Sequence, residues 1–173
     1  GVAVLPPSKA LHFAQDKLAM RVRLAELGLP VPDFADLSGD RAAARSRLIE
    51  FGEANDWAIV VKAVRGGYDG RGVWLVDGAD DALAVFDEYP DDAPALLAEQ
   101  KVPMRRELSA MIARSPFGQG GAWPVVETIQ RHGQCAVVLA PAPGLDDEVA
   151  AQAQQMALRL ADELGVVGVM AME

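Results

Sequence analysis

The stretch 60–72, Val-Val-Lys-Ala-Val-Arg-Gly-Gly-Tyr-Asp-Gly-Arg-Gly, constrains this chain more than any other. Four of the seven residues from Gly66 to Gly72 are glycine. Such a loop lets the backbone take positive φ and approach a ligand closely, so successive N–H groups can converge on an anion. No Gly-Lys-Ser/Thr follows, and the next segment reads as a strand, so neither a Walker loop nor a dinucleotide fingerprint fits. Two readings remain. One is an ordinary hairpin, because Asp69-Gly70 is a common turn pair. The other is a glycine-rich hairpin laid over phosphates. Lys62 favours the second. It interrupts an apolar strand, where an ammonium either reaches water at a strand edge or is held as a point charge beside the loop.

The surrounding pattern is α+β. A helix is expected over 15–27, with Leu18, Val22 and Ala25 inward, Gly28 as the stop and Pro30 and Pro32 beyond it. A second helix follows Ser38 and Asp40, with Ser38 as N-cap and Ala44, Leu48 and Phe51 on one face. Strands are expected at 58–64, 73–76, 96–102 and 107–113, with a helix over 80–89. A further pair, 123–129 and 136–139, brackets His132-Gly133. A long helix begins near Asp146 and Asp147, carries Val149, Ala153, Met156 and Leu160 inward and ends at Gly165. Hairpins mixed with helices, rather than strict βαβ alternation, define the class. The expected division is a body of helices over 1–54, a lid over 55–114 containing the loop, and body sheet and helix over 115–173. The chain opens on Gly1 and closes on an apolar run, 165–173, which reads as a buried strand cut in its course; the expectation is a fragment, truncated at both ends.

Charge narrows the partners. Against 16 basic residues stand 25 acidic ones, a net charge of −9. That argues against nucleic acid and anionic membrane as partners, both of which need a basic face, but not against one nucleotide in a cleft. A single cysteine, Cys135, excludes an internal disulfide framework and is expected buried or inert. His12 and His132 are expected at the surface, and Trp57, Trp74 and Trp123 in core or rim packing. Asp80-Asp81, Asp91-Asp92 and Asp146-Asp147-Glu148 are expected to cap helices or solvate turns. No apolar run approaches a membrane span, and a cytoplasmic location is expected.

The run Gly66 to Gly72, with Val61-Lys62 upstream, closely resembles the signature loop of the 5-(carboxyamino)imidazole ribonucleotide synthases of the ATP-grasp superfamily. Gln15-Asp16-Lys17, Leu29-Pro30-Val31-Pro32, Ala98-Glu99-Gln100, Arg106-Glu107-Leu108-Ser109 and the 165–173 run resemble the same family in the same order. The resemblance implies an ATP-grasp fold, with ATP held between two α+β subdomains. It implies Mg2+ as a cofactor and aminoimidazole ribonucleotide and bicarbonate as substrates, joined through carboxyphosphate in purine biosynthesis. A homodimer is implied for the full-length protein, and inactivity for this segment alone.

By the same resemblance, Lys17 and Lys62 contact nucleotide phosphates, and Gly67, Tyr68, Asp69, Gly70, Arg71, Gly72 and Val73 form the loop over them. Glu99, Gln100, Lys101 and Val102 are the hinge whose backbone reads adenine; Glu107 accepts the ribose hydroxyls. Gln130 is placed at the nucleotide, and Glu173 is a magnesium ligand. Tyr68, Asp69 and Arg71 face the imidazole ribonucleotide and bicarbonate. Three features depart from the family. Lys17 stands where many relatives carry Arg, and lacks the bidentate fork. Gln130 stands where His is frequent. The second acidic metal ligand and the substrate-phosphate residues are expected beyond residue 173. Another ATP-grasp carboxylase or ligase, such as a biotin carboxylase or a formate-dependent glycinamide ribonucleotide transformylase, is the alternative enzyme. A nucleotide-sensing module without catalysis is the alternative outside enzymes.

Overall fold

A computed structural model describes residues 4–67, 70–90 and 92–173. The chain forms two compact units, 14–103 and 1–13 with 104–173.

In the first unit a four-stranded antiparallel sheet has the order β1-β4-β2-β3, from β1 (Phe34–Asp36), β2 (Ile59–Ala63), β3 (Val73–Val76) and β4 (Leu96–Gln100). Strand alternation gives it two different faces. Ile59, Val61, Ala63, Val76, Leu96 and Ala98 pack on α3 (Arg41–Ala54) and α4 (Ala79–Glu88), through Ala44, Leu48, Ala82, Val85 and Phe86. Leu48, Ile59, Val61 and Val76 are fully buried there. At about 1.5–3 kcal/mol for each such side chain, this face supplies the unit's stability. The opposite face is left to Val60, Lys62, Val73, Leu75, Leu97 and Glu99.

In the second unit, β5 (Glu107–Arg114) pairs antiparallel with β6 (Gly120–Ala122), β7 (Val126–Arg131) and β9 (Gly168–Met172), and β8 (Gln134–Leu139) extends the sheet from β7. Ala157 and Ala161 of α5 (Asp147–Glu163) pack against Ala110 and Ile112. His132 and Gly133, both at positive φ, make the β7–β8 turn.

Several sequence expectations shift. The first expected helix is two, α1 (Ser8–Gln15) and α2 (Lys17–Glu26), split at Asp16, which caps α2. Its expected apolar face is not inward: Val22 is 42% exposed, because α2 turns Arg21 to the sheet instead. Asp40, not Ser38, caps α3, accepting from the Ala43 N–H at 3.0 Å. On α5 the buried stripe is Ala157, Leu160 and Ala161, while Val149 is exposed. Trp57 and Trp74 pack on the first unit's core and Trp123 is half exposed, as core or rim residues should be. His12 and His132 are at the surface. Asp146 caps α5, Asp80 and Asp81 lie in the first turn of α4, and Asp91 lies outside the described residues.

Cys135, expected buried or inert, is exposed on β8, whose residues are open along most of the strand. The 165–173 run is not buried on both faces. Residues of β9 alternate between half-buried and exposed, with Met170 and Met172 on the core and Val169 outward, and the strand pairs with β5 from Gly168 to Met172. Strand pairing also cuts the chain differently from 1–54, 55–114 and 115–173. β1 hydrogen-bonds into the loop-bearing sheet, and β5 pairs with strands that follow it, so the boundary falls at 103/104. Among the described residues no helix is long and apolar enough to cross a membrane.

Candidate active site

Two short connections fix the glycine loop. The Ala63 N–H donates to the Gly72 carbonyl at 2.8 Å, closing its base, and the Lys17 N–H donates to the Val64 carbonyl at 3.0 Å, tying its first limb to α2. Gly67 has no room for a side chain: a Cβ there would meet the Arg71 carbonyl oxygen at 2.8 Å. Gly66, Gly70 and Gly72 all have positive φ, between 67° and 76°. Tyr68 and Asp69 lie outside the described residues, and Arg71 is exposed.

Beside the loop the structure gathers Lys17, Lys62 and Glu99, three of the residues singled out from sequence, and adds Arg21. Lys62 and Glu99 are diagonal neighbours on the sheet face away from the core, since Lys62 is in register with Leu97. Glu99 is 2% exposed and accepts from Arg21 Nε on one oxygen, at 2.5 Å, and from Lys62 Nζ on the other. Burial pushes the Glu99 carboxyl up, but hydrogen bonds from Lys62 and Arg21 outweigh it and hold the group below its ordinary 4.5. Lys17 completes the group. The place a Gly67 Cβ would take is 3.5 Å from Lys17 Nζ, which puts that ammonium against the loop. Burial and then the Lys62 charge lower the Lys17 pKa. Three cations thus share one buried carboxylate, a surplus of positive charge next to a cradle of backbone. An arrangement like this suits a polyanion such as a polyphosphate.

Arg21 escapes a reading of the sequence because an arginine on a helix reads as solvent-facing. The available signal is its i,i+4 spacing from Lys17, which puts both on one helix face.

The hinge residues divide. The N–H groups of Gln100 and Lys101 are taken by the Asp33 and Ala58 carbonyls, both at 2.8 Å. Among the described residues the Lys101 carbonyl and the Val102 N–H carry no backbone hydrogen bond. One acceptor and one donor are therefore offered side by side, directly before the boundary between the units. Glu107, Gln130 and Glu173 belong to the other unit. Glu107 is half-buried in register with Thr128; Gln130 is exposed at an irregularity of the β7–β8 pairing; Glu173 is exposed just past β9.

The ionised Glu99 gives a pH prediction. Its folded pKa lies below its unfolded value, so its stabilisation is present above the unfolded pKa and disappears as pH falls through the folded one. Urea titrations of wild type and Glu99→Gln should differ most above pH 4.5 and converge below it. A pH-independent difference would show that the charge of Glu99 is not what stabilises.

The fold and this site define a class: the chain belongs to the ATP-grasp family, whose domain model matches residues 22–173. It is 54% identical to the N5-carboxyaminoimidazole ribonucleotide synthase of Mycobacterium tuberculosis over 173 residues, all of this chain and 39% of that protein. Among solved structures, the carboxyaminoimidazole ribonucleotide synthase of Aspergillus clavatus complexed with ATP superposes with a TM-score of 0.84 at 27% identity, covering 98% of this chain and 43% of that one. The N5-carboxyaminoimidazole ribonucleotide synthetase of Thermus thermophilus gives 0.84 at 30%, covering 98% and 44%. The chain spans about two fifths of the length of the curated relatives it matches.

Proposed function

We propose that the full-length protein carrying this chain is an ATP-dependent ligase that carboxylates 5-aminoimidazole ribonucleotide with bicarbonate, in purine biosynthesis in the cytoplasm. The observation that carries ATP use is the cluster of Lys17, Lys62 and Arg21 around Glu99 beside Gly67. The choice of substrate rests on 54% identity along the whole chain to a synthase of that name. A homodimer belongs to the same reading.

In this reading the triphosphate lies under the Gly67–Val73 loop, with Lys62 and Lys17 neutralising its charge. Adenine takes the Lys101 carbonyl and the Val102 N–H at the end of the Glu99–Val102 hinge. Glu107 accepts the ribose hydroxyls and Gln130 contacts the nucleotide. A bicarbonate oxygen attacks the γ-phosphorus and ADP leaves, forming carboxyphosphate. The 5-amino nitrogen then attacks the carboxyl carbon and loses a proton, and phosphate departs. Tyr68, Asp69 and Arg71 hold the two acceptors in line. Most of the catalysis is positioning and charge neutralisation.

Magnesium takes oxygen ligands, few from protein and the rest from phosphate and water. Among the described residues no three His, Cys, Asp or Glu side chains converge, and Glu173 is a single exposed carboxylate. These residues do not by themselves build a metal site. Glu173 would supply one oxygen ligand to Mg2+ when the ion is bound, the rest coming from outside these residues.

The direct test is ADP release by the full-length protein, with and without aminoimidazole ribonucleotide and bicarbonate. Release that ignores both compounds would sink the substrate assignment. Replacing Lys62 by Ala should weaken ATP about ten- to a hundredfold, since a hydrogen bond to a charged group is worth roughly 1.5–3 kcal/mol. Calorimetry with a non-hydrolysable ATP analogue measures it, and unchanged affinity would remove Lys62 from the site.

A further inference from the structure

Asp16 sits where α2 meets the glycine loop and uses its two oxygens on different tasks. One, Oδ1, accepts from the Ala19 N–H at 2.9 Å and caps α2. The other, Oδ2, accepts from Arg65 Nε at 3.0 Å and lies 2.8 Å from Arg65 Nη2. Arg65 is the residue before Gly66, whose φ of 76° begins the bend of the loop. On the backbone side, the Lys17 N–H holds the Val64 carbonyl. The carboxylate is therefore wedged between the helix that presents Lys17 and Arg21 and the limb from which the loop departs. Its side chain is 14% exposed and that of Arg65 51%. The carboxylate is the fixed partner and the guanidinium the one recruited to it.

Glycines give the loop freedom, and freedom costs affinity when a ligand must order it. A side-chain tether at the first residue of the loop removes part of that cost in advance. We propose that Asp16 and Arg65 are a positioning pair: Asp16 sets the start of α2 and, through Arg65, the departure angle of the limb at Gly66 and Gly67, so that Lys17 and the N–H groups of those two glycines face the same phosphates. Neither residue needs to touch the nucleotide. The inference rests on reading this loop as the phosphate cover, and not on the identity of the carboxylated substrate.

The test is a double-mutant cycle in the full-length protein. Asp16→Asn keeps a good helix cap and loses the charge that holds Arg65; Arg65→Gln leaves the cap untouched. Each variant should weaken binding of an ATP analogue about fivefold, the size expected for one partly exposed ion pair. Combining them should weaken binding no further than either alone, and Arg65→Lys should recover part of the loss. Melting temperature should move little in Arg65→Gln, because half of that side chain is in solvent. Multiplicative losses in the double variant, or a fall in melting temperature with unchanged nucleotide affinity, would overturn the pair and leave Asp16 as a helix cap only. Binding is read without carboxylation, so a wild-type protein that binds ATP but ignores aminoimidazole ribonucleotide would defeat the proposed reaction while the cycle still judges the pair.

Discussion

Replacing Glu99 by Gln should cost the protein about 3–5 kcal/mol, the usual result of removing one partner from a buried charge cluster. Glu99 is the only carboxylate hydrogen-bonded to Arg21 and Lys62 among the described residues, and Lys17 adds a third cation nearby. Glutamine keeps the shape and one acceptor oxygen but cannot neutralise them. Folded domains have about 5–15 kcal/mol in hand, so the variant should sit close to its limit. Urea denaturation reads the loss directly. The informative companion is a triple variant, Glu99→Leu with Lys62→Met and Arg21→Met. Apolar groups of similar volume often replace a buried charge network without loss. Its stability should return towards wild type while ATP binding is weakened at least as much as in Lys62→Ala. Retained ATP affinity would mean that the cluster serves folding alone.

The contrast follows from how the first unit divides its labour. Its apolar core lies on the α3/α4 face of the sheet, and the other face is left for Lys62 and Glu99. That division is legible in the alternation of 59–63, where lysine falls between apolar neighbours. Pairing of β2 with β3 across the glycine loop is legible too, because both strands are short, apolar and joined by a turn-rich run. What sequence does not disclose is the partner of each charge. The expectation for Glu99 concerns its backbone at the adenine hinge and is silent on its side chain, which closes on cations 37 and 78 residues away in the chain. Helical periodicity misplaces α2, since it assumes that the apolar side of a helix faces inward, whereas this helix presents Lys17 and Arg21 to the site. For Cys135, expected buried or inert, burial is the part that does not hold: β8 pairs with β7 at the end of the sheet order, and the thiol is exposed. The unit boundary at 103/104 depends on which strands pair with β1 and β5, and strand pairing over long separations leaves no local signature.

Asp69 carries the largest expected effect on the reaction. In the proposed reaction its carboxylate would face the acceptor amine, which must lose a proton as the new carbon–nitrogen bond forms. General-base assistance of this kind is worth roughly 10²- to 10⁴-fold. Asp69→Asn in the full-length protein should therefore lower carboxylation by about that factor while ATP affinity changes little. Asparagine and aspartate are both favoured turn residues, so the substitution keeps the turn chemistry of the Asp69-Gly70 pair. Bicarbonate-dependent ADP release in the absence of aminoimidazole ribonucleotide should persist, because forming carboxyphosphate does not need the amine. Asparagine at this position thus separates two jobs that alanine scanning would blur. If nucleotide affinity and carboxylation fall together, Asp69 shapes the loop, and the proton must pass to another group.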